Sequence, residues 1–234
     1  MTRTLGHVAI AGLMGAVGFL TLGALLSGAD WADAAHLWNV GRTCEATGST
    51  QKQVTLPFEA GDRFAIDLPA SVYYLPGDTA EAIVSGDPDL LGHVRIEAGR
   101  LELDCDPGWF ATRLEVKLSG PAITRWDMLG NGELTLAQLD QPQLELNIRG
   151  SGKSTASGTV DIVGLNISGS GAVQFKDLTA QSAQVDIRGN GDAKMTARVD
   201  ADVVISGNGN VELFGNPVLR RSDIRGNGRI VRMP

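Results

Sequence analysis

A Gly-Ser/Asn-Gly triplet occurs six times in the second half of this chain: Gly130-Asn131-Gly132, Gly150-Ser151-Gly152, Gly169-Ser170-Gly171, Gly189-Asn190-Gly191, Gly207-Asn208-Gly209 and Gly226-Asn227-Gly228. Their first glycines are spaced by 20, 19, 20, 18 and 19 residues. So steady a period means one supersecondary unit stacked on itself. About nineteen residues suit two or three short strands and are too few for a four-stranded propeller blade. A leucine-rich repeat is excluded, because no unit carries the asparagine-punctuated leucine pattern or a helical segment.

The residues around each triplet alternate as half-buried strands do. Two before the first glycine stand Met128, Ile148, Ile167, Ile187, Ile205 and Ile224; four before stand Trp126, Leu146, Leu165, Val185, Val203 and Ser222. Two beyond the second glycine come Leu134, Ser154, Val173, Ala193, Val211 and Ile230, then Leu136, Ala156, Phe175, Met195, Leu213 and Arg232. All share one parity and are expected to face inward. Both glycines share it too, where a corner leaves no room for a Cβ or demands a positive φ. One coil buries too little to order itself, so stability must come from ladders and core continuing between coils about 4.8 Å apart.

A β-rich body of Ile-x-Gly-Ser/Asn-Gly repeats resembles the putative auto-transporter adhesin head domain, the GIN domain. The resemblance covers roughly residues 60–231, including Arg63–Asp104 ahead of the clear repeats. It implies an all-β, right-handed parallel β-helix (a β-solenoid) in a bacterial envelope protein with no assigned catalytic site. The chain stops at Pro234, six residues after Gly228, and no translocator barrel is expected. Residues 60–125 are expected to form the opening coils and 126–234 the regular solenoid. In the opening part Ile66, Leu68, Val72, Tyr74, Ile83, Val94, Ile96, Leu101, Leu103, Val116 and Leu118 are expected to point inward.

Residues 1–34 read as a signal peptide or membrane-anchor helix, with 35–59 a linker and cap. Arg3 precedes an apolar stretch, Leu5–Ala29, and Ala32-Asp33-Ala34 offers a cleavage site. The stretch is also long enough to span a bilayer, so membrane contact through residues 5–29 stands beside cleavage. Either way the body is exported, to the periplasm or the exterior. There a disulfide between Cys44 and Cys105 can persist, with two unpaired thiols as the alternative. No metal is expected, since His36 and His93 lack ligand spacing with either cysteine.

The net charge of −7 argues against nucleic acid as a partner. Residues 217–234 nevertheless hold Arg220, Arg221, Arg225, Arg229 and Arg232 against Asp223. That cluster either discourages end-to-end strand pairing or docks on an anionic surface.

Several motifs dissolve into the repeat. Gly150–Thr155 imitates a phosphate-binding loop, but Asn147 stands where its first glycine belongs and strand, not helix, should follow. Only Asp192 directly follows a triplet, so stacked calcium sites are rejected. No cofactor is expected. Carboxylates such as Asp161, Asp200 and Asp202 are scattered among basic residues, and no nucleophilic set can be placed, which argues against an enzyme. A polysaccharide-active enzyme on the same fold and an anchored envelope sensor remain as rivals.

The outward columns carry the functional reading. Before the triplets, arginine alternates with serine: Arg149, Ser168, Arg188, Ser206, Arg225. Asp186 and Asp223 lie two residues ahead of their arginines. This is either an ordinary solvated face or a stripe matching a repetitive envelope polysaccharide or protein. The corner column Asn131, Ser151, Ser170, Asn190, Asn208 and Asn227 is either a hydrogen-bonded ladder or a glycan contact. Together these describe a non-enzymatic adhesion or scaffolding module.

Overall fold

The computed structural model describes residues 51–59, 61–105 and 114–233, all within one compact unit, Thr43–Pro234. The leader expected over 1–34, most of the expected linker and Cys44 lie outside the described residues. Among the described residues no helix is long and apolar enough to cross a membrane.

The chain is all-β, a β-solenoid. Short strands open it: β1 (Lys52–Leu56), β2 (Arg63–Asp67), β3 (Ala70–Pro76) and β4 (Glu81–Gly86) precede a one-turn helix, α1 (Pro88–Leu91). Then come β5 (Val94–Glu97), β6 (Arg100–Leu103), β7 (Leu114–Gly120) and β8 (Arg125–Gly130). The coils follow as long bent strands, β9 (Glu133–Gly150), β10 (Lys153–Gly169), β11 (Ala172–Gly189) and β12 (Asp192–Gly207), then β13 (Asn210–Phe214), β14 (Val218–Gly226) and β15 (Arg229–Arg232).

Every pairing from β8 onward is parallel and follows the triplet. Gly130 stacks on Gly150, Gly150 on Gly169, Gly169 on Gly189, Gly189 on Gly207 and Gly207 on Gly226. The two glycines of a triplet are needed for different reasons. The first adopts a positive φ, +126° at Gly189 and +138° at Gly207, a region closed to other residues. The second has no room: a Cβ on Gly191 would lie 2.6 Å from Ile167 Cγ2. The ladder passes unbroken through the bend, with Asn190 N–H donating to Gly169 O at 2.8 Å and Asp192 N–H to Gly171 O at 3.0 Å.

A second corner lies mid-coil, where Gln138 (φ +54°), Gly158 (φ +121°) and Gly215 (φ +86°) turn the chain. The irregular period is absorbed there. Phe175 stacks on Met195, twenty residues on, whereas Thr179 stacks on Thr196, seventeen on. The triplet corner and the strand before it therefore stay in register.

The core is one continuous column from Phe64 to Leu213. Nearly all the inward positions expected from β8 to β13 are buried, including Ser154, whose hydroxyl finds no partner among the described residues. At its start Trp126, Phe64 and Tyr74 pack together, with ring centroids 5.5 Å and 5.1 Å from Trp126. The Tyr74 hydroxyl donates toward Pro121 O at 2.8 Å, and burial raises its pKa.

Three expectations are corrected. The opening part is not a set of uniform parallel coils: β4 runs antiparallel between β1 and β7, and β5–β6 is an antiparallel hairpin. Its turn, with Ala98 at φ +47° and Gly99 at φ +71°, has the two left-handed residues a tight hairpin requires. In β4 the buried residues are Ala82 and Val84, not Ile83, because Val84 pairs with Val116 and Ala82 with Leu118. The run Ala82-Ile83-Val84 is apolar throughout, so alternation could not choose its face. In the last coil Ser222, Ile224 and Arg232 are exposed, since β14 and β15 stack only on β12 and β13 among the described strands.

Candidate functional site on the outward solenoid face

The strand preceding each triplet turns alternate side chains outward, and parallel stacking converts this into columns one residue per coil wide. Nearest the corner run Leu129, Arg149, Ser168, Arg188, Ser206 and Arg225, each paired with the next. The next column is Asp127, Asn147, Asn166, Asp186, Val204 and Asp223; the third is Arg125, Glu145, Gly164, Gln184, Asp202 and Arg221. The face is largely polar and six coils long, and at its first coil Asp127 is buried beneath Arg63, which donates to it at 2.7 Å.

Two arginines of the stripe, Arg188 and Arg225, meet the acids two residues before them, whereas Arg149 has Asn147 at that position. Arg188 donates to Asp186 at 3.0 Å and Arg225 to Asp223 at 3.1 Å, each within its own coil. These arginines are largely exposed, so the pairs orient the guanidinium groups more than they stabilise the fold. In the middle column Asn166 Nδ2 donates to Asn147 Oδ1 at 2.8 Å. At one end Arg125 Nε donates to Glu145 Oε2 at 3.0 Å, and these bonds raise the Arg125 pKa.

The corner column divides. Asn208 Nδ2 donates to Asn190 Oδ1 at 2.8 Å and Asn227 Nδ2 to Asn208 Oδ1 at 3.1 Å, a continuous ladder across three coils. Asn131, Ser151 and Ser170 are exposed at the same corner without a side-chain bond of this kind among the described residues. Asn208→Ala, which removes both rungs, is expected to cost about 1–2 kcal/mol, while Ser170→Ala should change stability by less than about 0.5 kcal/mol. Urea midpoints of the two variants check this.

The arginine-rich last coil is less isolated in charge than its sequence indicates. Arg220 reaches Asp200 of the neighbouring coil at 2.8 Å, and Arg221 and Arg225 share Asp223. Lys153, the lysine of the apparent phosphate loop, begins strand β10, and no helix follows it.

Sequence reasoning missed two groupings. The β5–β6 hairpin brings His93 against Asp104, with Nδ1 2.5 Å from Oδ1, and places a Cys105 ligand atom in the same 4.8 Å cluster. The hairpin register, Val94 opposite Leu103, is the signal that would have found it. Cys105 is disulfide-bonded and so offers no thiolate, and Arg95 holds Asp104 from the other side at 3.0 Å. An ion-paired hairpin end accounts for these residues. The second grouping is a pair of adjoining troughs of about 310 and 250 Å³ on the outward face, which share Gly164, Asn166 and Gln184. A further trough of about 420 Å³ lies near the mid-coil corner, lined by Asp140, Thr159, Asp161, Thr179 and Arg198 among others.

A family model, putative auto-transporter adhesin, head GIN domain, matches residues 63–217. No curated protein matches the chain. Among solved structures, a putative adhesin from Bacteroides fragilis NCTC 9343 is 16% identical, with a TM-score of 0.63, and the match covers 79% of this chain and 97% of that one. A putative lipid binding protein from Parabacteroides distasonis ATCC 8503 is 19% identical over the same shares, with a TM-score of 0.48. At such identity the first likeness shows a common fold.

Proposed function

The chain belongs to the family of the putative auto-transporter adhesin, head GIN domain, and from that premise we propose that it is a non-enzymatic cell-envelope module whose solenoid presents a repetitive polar face to a polymeric partner. The observation that carries this reading is the in-register stacking of three outward columns over successive coils. A parallel solenoid fixes the coil spacing at about 4.8 Å, so its polar groups are preorganised along one axis, as binding an extended polymer requires. The partner is an envelope polysaccharide or an envelope protein. The arginine stripe, with carboxylates beside it, suits a polymer of mixed hydrogen-bonding character, and the net negative charge disfavours nucleic acid.

Export to the periplasm or the outer surface is supported by the Leu5–Ala29 stretch and by the disulfide at Cys105, a bond that persists outside a reducing cytosol. Cys44, the other cysteine of the chain, is the proposed partner. Whether residues 1–34 are cleaved or kept as an anchor is read directly from the mass of the mature protein.

A glycan array compared for the native chain and the Arg149→Ala/Arg188→Ala variant tests the reading. The native chain should be retained at low salt, and the variant should bind about three- to tenfold more weakly, as expected for rim charges. Retention of no polymer and no envelope protein by the native chain would remove the proposal. The rival reading has one specific support: Asp186 and Asp202 line a common trough, and paired carboxylates are what glycoside hydrolysis requires. Release of shortened sugars from a retained glycan, lost in Asp202→Asn, would replace binding with catalysis.

A further inference from the structure

We propose that Gly164 is a deliberate gap in the outward face and that the trough it opens receives a neutral, hydroxyl-rich saccharide unit of the bound polymer. This rests on the polymer-binding reading above and names its ligand class and central subsite.

The fold does not need glycine at this position. Gly164 sits in the middle of β10 with an ordinary strand φ, and a Cβ there would meet only Glu145 Cγ at 3.8 Å and Leu144 O at 4.0 Å. That is normal packing distance, unlike the corner glycines from Gly150 onward, whose Cβ would strike the preceding coil. Glycine in a strand interior weakens the strand and leaves a hole where a side chain would pack. Its column neighbours, Glu145 in the coil before and Gln184 and Asp202 in those after, are all long or polar. Their side chains rise on both sides of a missing one, and the two troughs meet there.

The lining chooses the ligand. Among the described residues neither Gln184 nor Asp202 has a side-chain hydrogen bond or ion pair, so both are available at the trough. Asn166 spends one amide hydrogen on Asn147 and keeps its carbonyl oxygen and its other hydrogen. An amide offers donor and acceptor together and a carboxylate accepts two donors, which matches the paired donor and acceptor character of vicinal hydroxyls. The cations at the two ends are already engaged, Arg125 with Glu145 and Arg221 with Asp223. With Asp202 unpaired inside and Asp186 held by Arg188, the trough disfavours phosphate, sulfate and uronate groups. Ile162, 49% exposed beside Gly164, offers an apolar patch for the C–H face of a sugar ring.

The test uses the full-length chain and immobilised dextran, mannan and galactan, with polygalacturonate as the anionic comparison. Gly164→Gln copies the residue of the next coil and fills the trough; Gly164→Ala only lines it. Native protein should be retained by at least one neutral polymer. Gly164→Gln should weaken that retention about tenfold or more with a melting temperature no lower than the native chain's, and Gln184→Ala should weaken it in the same direction. Retention of neutral polymer that Gly164→Gln leaves intact would overturn the subsite and leave the adhesion reading standing. Binding confined to polygalacturonate and abolished by Arg149→Ala/Arg188→Ala would overturn the subsite in favour of the arginine stripe. A native chain that binds none of the polymers overturns the subsite, and the adhesion reading then rests on an envelope protein partner alone.

Discussion

Gly189→Ala is expected to destabilise the solenoid by roughly 3–5 kcal/mol, although it adds a single methyl group. Gly189 holds φ at +126°, where an L side chain clashes with its own backbone. A Cβ there would also fall on the carbonyl oxygen of Gly169, deep inside van der Waals contact. That oxygen accepts from Asn190 N–H at 2.8 Å, so relief of the clash must break the rung that carries the ladder around the corner. The stacked glycines below and above, Gly169 and Gly207, leave no direction in which the corner could shift alone. Gly164→Ala is the matched comparison. Its backbone accepts an L residue and its Cβ has room, so stability should rise by about 0.4–1 kcal/mol through the unfolded chain. Urea unfolding of both variants, followed by far-UV circular dichroism, measures the contrast. Equal midpoints would show that the left-handed corner is not what registers one coil on the next.

The regular coils were legible because their physics is local and repeated. Period-2 alternation with a glycine pair every nineteen or so residues admits one stacking, and the structure places Ile148, Ile167, Ile187 and Ile205 in one buried column as that stacking demands. Having two distinct reasons for two glycines was also visible, though not which glycine needed which. The opening part was less legible because its partners are distant in sequence. Nothing near Ile83 reveals that β4 will lie antiparallel between β1 and β7. The mid-coil corner was missed for a different reason. Gly158 and Gly215 are glycines, but Gln138 holds the same bend in another coil, so a bend fixed by backbone conformation leaves no letter common to every coil. Of the candidate site, the arginine–acid pairs followed from spacing alone. The troughs did not, since they are made by an absent side chain, and Gly164 stands out only when Glu145 and Gln184 are seen beside it. His93 and Asp104 come together through a hairpin whose register fixes their meeting, yet the sequence of that hairpin reads equally as an opening coil.

Trp126→Ala is expected to cost about 3–5 kcal/mol and to loosen the opening strands more than the coils beyond β9. Trp126 is wholly buried and is the first inward residue of the regular series. It stacks on Phe64 of β2 on one side and on Leu146 of β9 on the other. Phe64 and Tyr74 pack on the indole, and Phe58 continues the aromatic cluster through Phe64 at 5.8 Å. The indole N–H donates to Ile123 O at 3.2 Å, which fixes the turn leading into β8. Removing the ring leaves a large apolar cavity between β2 and β9, and stiff stacked coils on one side cannot collapse to fill it. Ile224→Ala is the reference. It too lies on the inward parity, but at 41% exposure it should cost less than about 1 kcal/mol. Amide hydrogen exchange gives the spatial part of the result: protection should fall first in β2, β3 and β8, while β10 and β11 keep theirs. If Trp126→Ala cost no more than Ile224→Ala, or if protection fell evenly along the molecule, the opening strands would not be latched to the solenoid through this ring.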